Sequence, residues 1–251
     1  MNNVGSLKKI WILHQTIRNW PVILFDRLGF RKLTTYKCRE GFRFLCRSRT
    51  SDINEVVVVI SGNEYPRRFL RIREGAIVFD IGAHIGSFVV YADSIAESWY
   101  RGYAFEPWRE NLQLLLANIE LNQVHGFEVV EAAISDKDGF VQIETGVQPD
   151  AVHLTEEGGT KVRSIRLSTF CRENKISRID VMKIDAEGAE YRILEGDLPF
   201  IKANVELLVM EYHKLSAGRD LDRISRQLCP EFKAEVIHAG DAGGTVAFRR
   251  T

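Results

Sequence analysis

The chain has 251 residues, 45% apolar and 27% charged, the proportions of a globular protein whose core needs no disulfide or structural metal. No uncharged run approaches the ~20 residues of a membrane span, and no secretory leader follows Lys8 and Lys9. The net charge is zero, but residues 1–50 carry eleven Lys and Arg against Asp26 and Glu40, so a +9 segment is joined to a −9 body.

Cys38, Cys46, Cys171 and Cys229 lack C-x-x-C or zinc-ligand spacing, which fits reduced thiols in a cytoplasmic protein. A basic segment on an acidic body suits an anionic partner, a membrane surface or another subunit of a homo-oligomer; plain solvation of an added element is the competing account. In residues 7–30, Leu7, Ile10, Trp11, His14 and Ile17 recur at helical spacing, and Pro21 is expected to break or kink the helix. Trp11, Trp20 and Phe25 beside Lys and Arg suit peripheral membrane contact, although docking on the main body is favoured. "TTYKCREGFRFLCRS" alternates around Glu40-Gly41 and predicts a β-hairpin. Residues 1–50 thus form a helix and hairpin extension ahead of a main domain over 51–251. "DINEVVVVISGNEYP" balances strand-forming valines against a capping box from Asp52 to Glu55, with helix favoured.

From residue 76 strands and helices alternate: "AIVFDIG", then "SFVVYADSIAES", "YRGYAFEP", "RENLQLLLANIELNQ" and "FEVVEAAIS". This rhythm predicts a mostly parallel sheet with helices on both faces. Residues 136–160 are rich in turn formers, with an extra strand at "GFVQIET". "VRSIRL", a short helix "STFCREN" and the strand "IDVMKID" follow. A helix at "AEYRILEG", the strand "VELLVMEYH", a helix at "DRISRQLCP" and a closing antiparallel pair, "AEVIHA" with "TVAFRR", complete the chain.

Acids fall at three strand ends: Asp80 with Gly82, Glu106 with Pro107, and Asp185 with Glu187. In a doubly wound sheet such ends share one crevice. The first loop is not a dinucleotide turn, because His84 stands where the second glycine of G-x-G-x-x-G would fall. Asp80 would repel a pyrophosphate and attract an amine, and Glu106 is placed to accept from both hydroxyls of a ribose. An aminoacyl group plus a ribose without phosphates describes S-adenosylmethionine.

"VFDIGAHIGSF", "AFEP", "AAISDKDG", "IDVMKIDAEGAEYRILEG" and "LLVMEYH" resemble the FkbM family of S-adenosylmethionine-dependent methyltransferases. The resemblance covers roughly residues 52–215 and is most specific at K-x-D-x-E-G, Lys183 to Gly188. It implies an α/β class I (Rossmann-like) methyltransferase fold with a seven-stranded, mostly parallel sheet. The activity it implies is methylation of a hydroxyl on a sugar or natural product. By position, it sets Gly82, Ala83 and Gly86 around the methionine part of the cofactor with Asp80 beneath, while His84 reads as a loop-packing or cofactor-adjacent residue and not as a base. It sets Glu106 and Pro107 at the ribose, and Ala133, Ile134 and Ser135 near the adenine. Asp185 and Glu187 face the transferred methyl. Ser168 departs from the family pattern, which often has an acid there.

An alcohol needs a proton acceptor at the moment of attack. Asp185 and His213 are the candidates, with Glu187 and Glu211 orienting them; Lys183, two residues from Asp185 on one strand face, balances its charge. The same set, Asp185, Glu187, Glu211 and His213, also has the oxygen donors of a magnesium site, a less favoured reading. The reading is therefore an S-adenosylmethionine-dependent O-methyltransferase with a small-molecule, glycan or glycolipid acceptor. An RNA methyltransferase using the basic segment, and an inactive assembly protein, are the alternatives.

Overall fold

The computed structural model describes residues 11–28, 31–145, 152–155, 158–213, 221–240 and 243–251. Helix α1 (residues 11–16) ends where Ile17 bridges to Cys38. Helix α2 (Val22–Leu28) starts directly after Pro21. Of the two outcomes expected at Pro21, a break or a kink, the described residues show a break: the chain turns before Pro21, whose fixed φ suits the first turn of a new helix. The hairpin forms as expected from β1 (Leu33–Lys37) and β2 (Arg43–Arg47), with Tyr36 opposite Phe44. Helix α3 (Asp52–Ile60) settles the valine run as helix. Its capping box does not form: Ser51 stands at the N-cap with no side-chain cap bond.

The main sheet has seven strands in the order β12-β13-β11-β10-β3-β4-β5. Strands β3 (Ile77–Ile81), β4 (Arg101–Phe105) and β5 (Phe127–Val130) run outward from the middle in one direction. Strands β10 (Val181–Ile184) and β11 (Leu207–His213) run the other way across the sheet, also parallel. Strands β12 (Phe232–Ala239) and β13 (Gly243–Arg250) close it antiparallel. The strand order reverses between β3 and β10, and a ligand crevice is expected at their carboxyl ends.

Period-two alternation sorts the core. Val78, Ala104, Val181 and Val209 face α3, α4 (Ser87–Ile95), α5 (Arg109–Asn122) and the hairpin. Phe79, Phe105, Met182 and Met210 face α6 (Leu167–Glu173), α7 (Glu190–Asn204) and α8 (Leu221–Leu228). Phe170 on α6 meets Phe79, Tyr103 and Phe105 edge-on at 4.8–5.8 Å between ring centres.

Two expectations need correction. "FEVVEAAIS" is not one strand: the chain turns after Val130, and β6 (Ala133–Ile134) joins a second sheet ordered β6-β9-β7-β8, with β7 (Gly139–Thr145), β8 (Val152–Thr155) and β9 (Thr160–Ile165). The helix at "AEYRILEG" continues to Asn204, interrupted by a non-helical Asp197 just before Pro199, which lacks the N–H an unbroken helix would use.

The acid missing at Ser168 is supplied from elsewhere. Asp138 accepts from the Arg166 N–H and the Thr169 hydroxyl at 2.8 and 2.9 Å, at the start of α6.

The hairpin is bound to α5 by two asparagines one turn apart. Asn122 exchanges bonds with the Arg43 N–H and carbonyl at 2.9 and 2.7 Å. Asn118, fully buried, accepts from the Leu45 N–H at 2.7 Å and donates to the Ile85 carbonyl at 2.8 Å. Its amide does what a neighbouring strand would do. Asn118→Leu leaves these buried groups unpaired and is expected to destabilise the fold by about 2–3 kcal/mol, against under ~1 kcal/mol for the half-buried Asn122→Ala, whose partner Arg43 is exposed. Urea midpoints of the two variants check this.

Candidate active site

The loop after β3 turns through two glycines with positive φ, Gly82 at 78° and Gly86 at 90°. A Cβ on Gly82 would stand 1.8 Å from the Asp185 carbonyl oxygen, so only glycine lets the loops after β3 and β10 touch. At Gly86 a Cβ would meet Leu115 at 2.7 Å. These contacts close a cavity over the switch point.

Eight of the residues expected from sequence line this one cavity. Gly82 and His84 come from the first loop, Glu106 and Pro107 from the end of β4, Ala133 and Ile134 from β6, and Asp185 and Glu187 from the loop after β10. Ala83, Gly86 and Ser135 lie behind the lining; Ser135 is buried and donates to Asp136 at 2.8 Å. His213 ends β11, but its side chain lies outside the described residues.

Glu106 is held at both oxygens, by the His84 and Trp108 N–H groups, each at 2.8 Å. It is 4% exposed. Burial pushes its carboxyl up to about 7, against the Trp108 N–H, the His84 charge and N–H, and Asn111. Apolar walls adjoin it at Phe105, Ala132, Ala133, Ile134 and Ile143. A carboxylate beside an apolar slot fits a ribose diol and a purine, so the residues present fit S-adenosylmethionine.

Asp80 does not act as the free counter-ion expected of it. It is fully buried, and Lys183, its partner in the β3–β10 register, places Nζ 3.0 Å from its carboxylate. Lys183 also donates to the Gly82 carbonyl at 2.7 Å and stands 3.7 Å from Asp185. Burial alone would lower the Lys183 pKa, but Asp80 and Asp185 hold it well above the ordinary lysine range. The ammonium therefore serves Asp80 first and Asp185 second.

Helix α3 supplies residues the sequence reading gave no site role. Ser51 and Glu55 line the cavity. Asp52 is spent on Arg47, accepting from its N–H at 2.7 Å, Nε at 3.0 Å and Nη2 at 2.8 Å. Glu55 pairs with His84 Nδ1. Two effects compete at this imidazole. Arg47 Nη2 stands 2.9 Å from His84 Nε2, which taken alone favours a neutral ring. Burial works in the same direction, yet Glu55, Asp52 and Glu106 outweigh both and raise the imidazole to about 9. Asp52 offsets the two cations, 2.8 Å from Arg47 and 3.4 Å from Nε2.

On the far side of Asp185, the next step of the β10–β11 register brings Glu211, and Glu64 hydrogen-bonds to Glu211. The charge of Asp185 and burial raise both carboxyls, so the pair retains a proton at neutral pH. Among the described residues no three His, Cys, Asp or Glu converge as metal ligands, and the ammonium of Lys183 stands beside Asp185 where a cation would be expected. Glu187 adopts φ 47°, and Glu190 ties its turn by accepting from the Ala186 and Gly188 N–H groups at 3.1 Å each.

Lys183→Met strands the Asp80 carboxylate in the interior and leaves Asp185 without its cation. The expected loss is about 3–5 kcal/mol, with Asp80→Asn in the same chain recovering most of it, both read from urea denaturation.

Comparison with protein families matches residues 80–233 to the Methyltransferase FkbM domain. The 31-O-demethyl-FK506 methyltransferase FkbM of Streptomyces tacrolimicus is 27% identical over 188 residues, 61% of this chain and 72% of that protein. The crystal structure of a methyltransferase FkbM from Methylobacillus flagellatus KT superposes with a TM-score of 0.52 at 17% identity, over 78% of this chain. This chain spans only 53% of that one, and the likeness concerns the fold. With its class I strand order and a domain match over more than half its length, the chain belongs to the FkbM family of S-adenosylmethionine-dependent methyltransferases.

Proposed function

We propose that the protein transfers a methyl group from S-adenosylmethionine to a hydroxyl of a small polyol, a glycan or glycolipid, or a natural product. The observation that carries this reading is the placing of Glu106 and Asp185 on the wall of one cavity, each fixed differently. Glu106 is tethered by two backbone donors and ringed by apolar residues, an environment for holding a diol. Asp185 is 23% exposed and has one ammonium at 3.7 Å, an environment for taking a proton. The name of the Streptomyces relative, an O-demethyl-FK506 methyltransferase, lends support because it describes an alcohol acceptor.

S-adenosylmethionine bound at Glu106 supplies an electrophilic methyl. The residues of this chain then have two tasks. The loops after β3 and β10, locked together through Gly82, align the acceptor, an effect worth roughly 7–11 kcal/mol of barrier in favourable cases. Asp185 accepts the hydroxyl proton as the oxygen attacks, and Lys183 steadies the carboxylate before that transfer. The Glu64–Glu211 pair beside it shares a proton and so brings one negative charge instead of two. His213, whose side chain lies outside the described residues, stays the second candidate for this role.

Two outcomes test the halves of this reading. Asp185→Asn is expected to lower kcat by about 10²–10³ in methyl transfer to a panel of sugars, glycolipids and macrolide alcohols. Cofactor affinity by calorimetry should stay within about threefold. Transfer to RNA alone, or unchanged kcat in the variant, overturns the proposal.

The second outcome concerns pH. Diol donors favour the ionised form of Glu106, whose carboxyl sits at about 7, while His84 at about 9 keeps its charge below that. Affinity for S-adenosylhomocysteine should therefore rise with pH through 7, about tenfold between pH 6 and 8. In Glu106→Gln the slope disappears and binding is weaker throughout. A flat wild-type profile would remove Glu106 from the ribose.

A further inference from the structure

Helix α2 is turned the wrong way for a helix in water. Its inward side carries Ile23 and Asp26, both buried. Asp26 accepts from the Thr34 hydroxyl at 2.7 Å and from Ser48, which ties the helix to both strands of the hairpin. Its outward side presents Leu24, Phe25 and Leu28, 57–65% exposed. Trp20 and Pro21 precede them and are exposed as well, and Trp11 on α1 is 63% exposed. A surface helix ordinarily points its acids outward and its large apolar side chains inward. Here the arrangement is inverted, and the resulting apolar patch exceeds what single scattered hydrophobic residues produce.

The exposed charges that flank this helix in the sequence are nearly all cationic. Arg18, Arg31, Lys32 and Lys37 are exposed, and Arg49, also exposed, donates to the Leu28 carbonyl at 2.7 Å, at the end of the apolar face. Of the two acids in residues 1–50, Asp26 is buried and Glu40 sits at the hairpin tip. We propose that Trp20 and the outward face of α2 dock on an anionic lipid bilayer, with these cations at the headgroups. A second copy of this chain is the poorer occupant. A two-fold contact would bring two like-charged rims together, whereas anionic headgroups complement every cation named. Tryptophan beside Lys and Arg is the pairing that the membrane–water interface favours.

The docking element is linked to the cavity wall through the chain that follows the hairpin. Ser48, which holds Asp26, follows Arg47, which holds Asp52 and approaches His84; Ser51 is already in the cavity wall. The proposal does not need the O-methyl reading, and its test does not use catalysis.

The test is co-sedimentation of the full chain with phosphatidylcholine vesicles, with and without phosphatidylglycerol. Wild type should bind the anionic vesicles about tenfold more tightly than the neutral ones and lose that preference as salt rises. Phe25→Ser with Leu28→Ser should weaken binding about tenfold or more, as should Arg31→Glu with Lys32→Glu. Unchanged thermal melts establish that these exposed substitutions leave the fold intact. No binding to anionic vesicles, or equal binding by the variants, overturns the proposal. So does a dimer in sedimentation that the Ser variant dissociates, an outcome that assigns the face to a second copy.

Discussion

Lys183 and Asp80 stand opposite each other in the pairing of β3 with β10, 3.0 Å apart and both out of water. Two parallel strands joined through a hundred residues of intervening chain could slip by one position, which would send each side chain to the other sheet face. A buried cation meeting a buried anion penalises that slip, because each would face the opposite core alone. The same register delivers Asp185 to the end of β10, next to Gly82 at the end of β3. One ion pair thus sets the height at which the two loops meet, and that height is where the cavity opens.

Charge around the cavity is arranged in pairs that leave two acids with distinct tasks. Arg47 answers Asp52, the His84 imidazolium answers Glu55, and Lys183 answers Asp80. Glu64 and Glu211 share a proton and so remove a charge from the site. Of the other acids in the wall, Glu106 is immobilised by backbone N–H groups and Asp185 is partly open to solvent. The difference lies in the backbone: Glu106 follows a strand end whose next turn returns the Trp108 N–H to it, while Asp185 precedes a turn whose N–H groups are taken by Glu190.

Much of this was legible in the sequence wherever the signal is local. The alternation from Ile77 onward has the period of its elements, and acids after apolar strands identify the crevice because strand ends in this fold converge. What stayed hidden needed distance or register. Nothing near Asp80 announces that Lys183 will occupy it, since the two meet only once β3 and β10 are aligned. The break in "FEVVEAAIS" has no Gly or Pro to mark it; the Ala132 N–H turns back to the Val130 carbonyl at 2.9 Å, and the strand ends there. Asp52 and Glu55 read locally as a cap, yet both face away from their own helix end, toward Arg47 and His84. Local pattern cannot reveal that a hairpin and a glycine loop will present cations to them.

The hairpin consequently belongs to the site as much as to the extension that carries it. Asn118 and Asn122 fix β2 on α5, β2 ends in Arg47, and Arg47 orients Asp52 and contacts His84, whose backbone N–H holds Glu106. The links at Asn118, Asp52 and Glu106 are hydrogen bonds between groups partly or wholly shielded from water, where an unmet partner costs more than a met one gains. The chain of bonds therefore behaves as a unit: loosening the hairpin leaves Arg47 without its geometry, frees Asp52 to compete for His84, and shifts the loop that presents the His84 N–H. On the O-methyl reading, the carboxylate that grips the ribose is positioned from sixty residues upstream, by a segment that the glycine motif alone would never implicate.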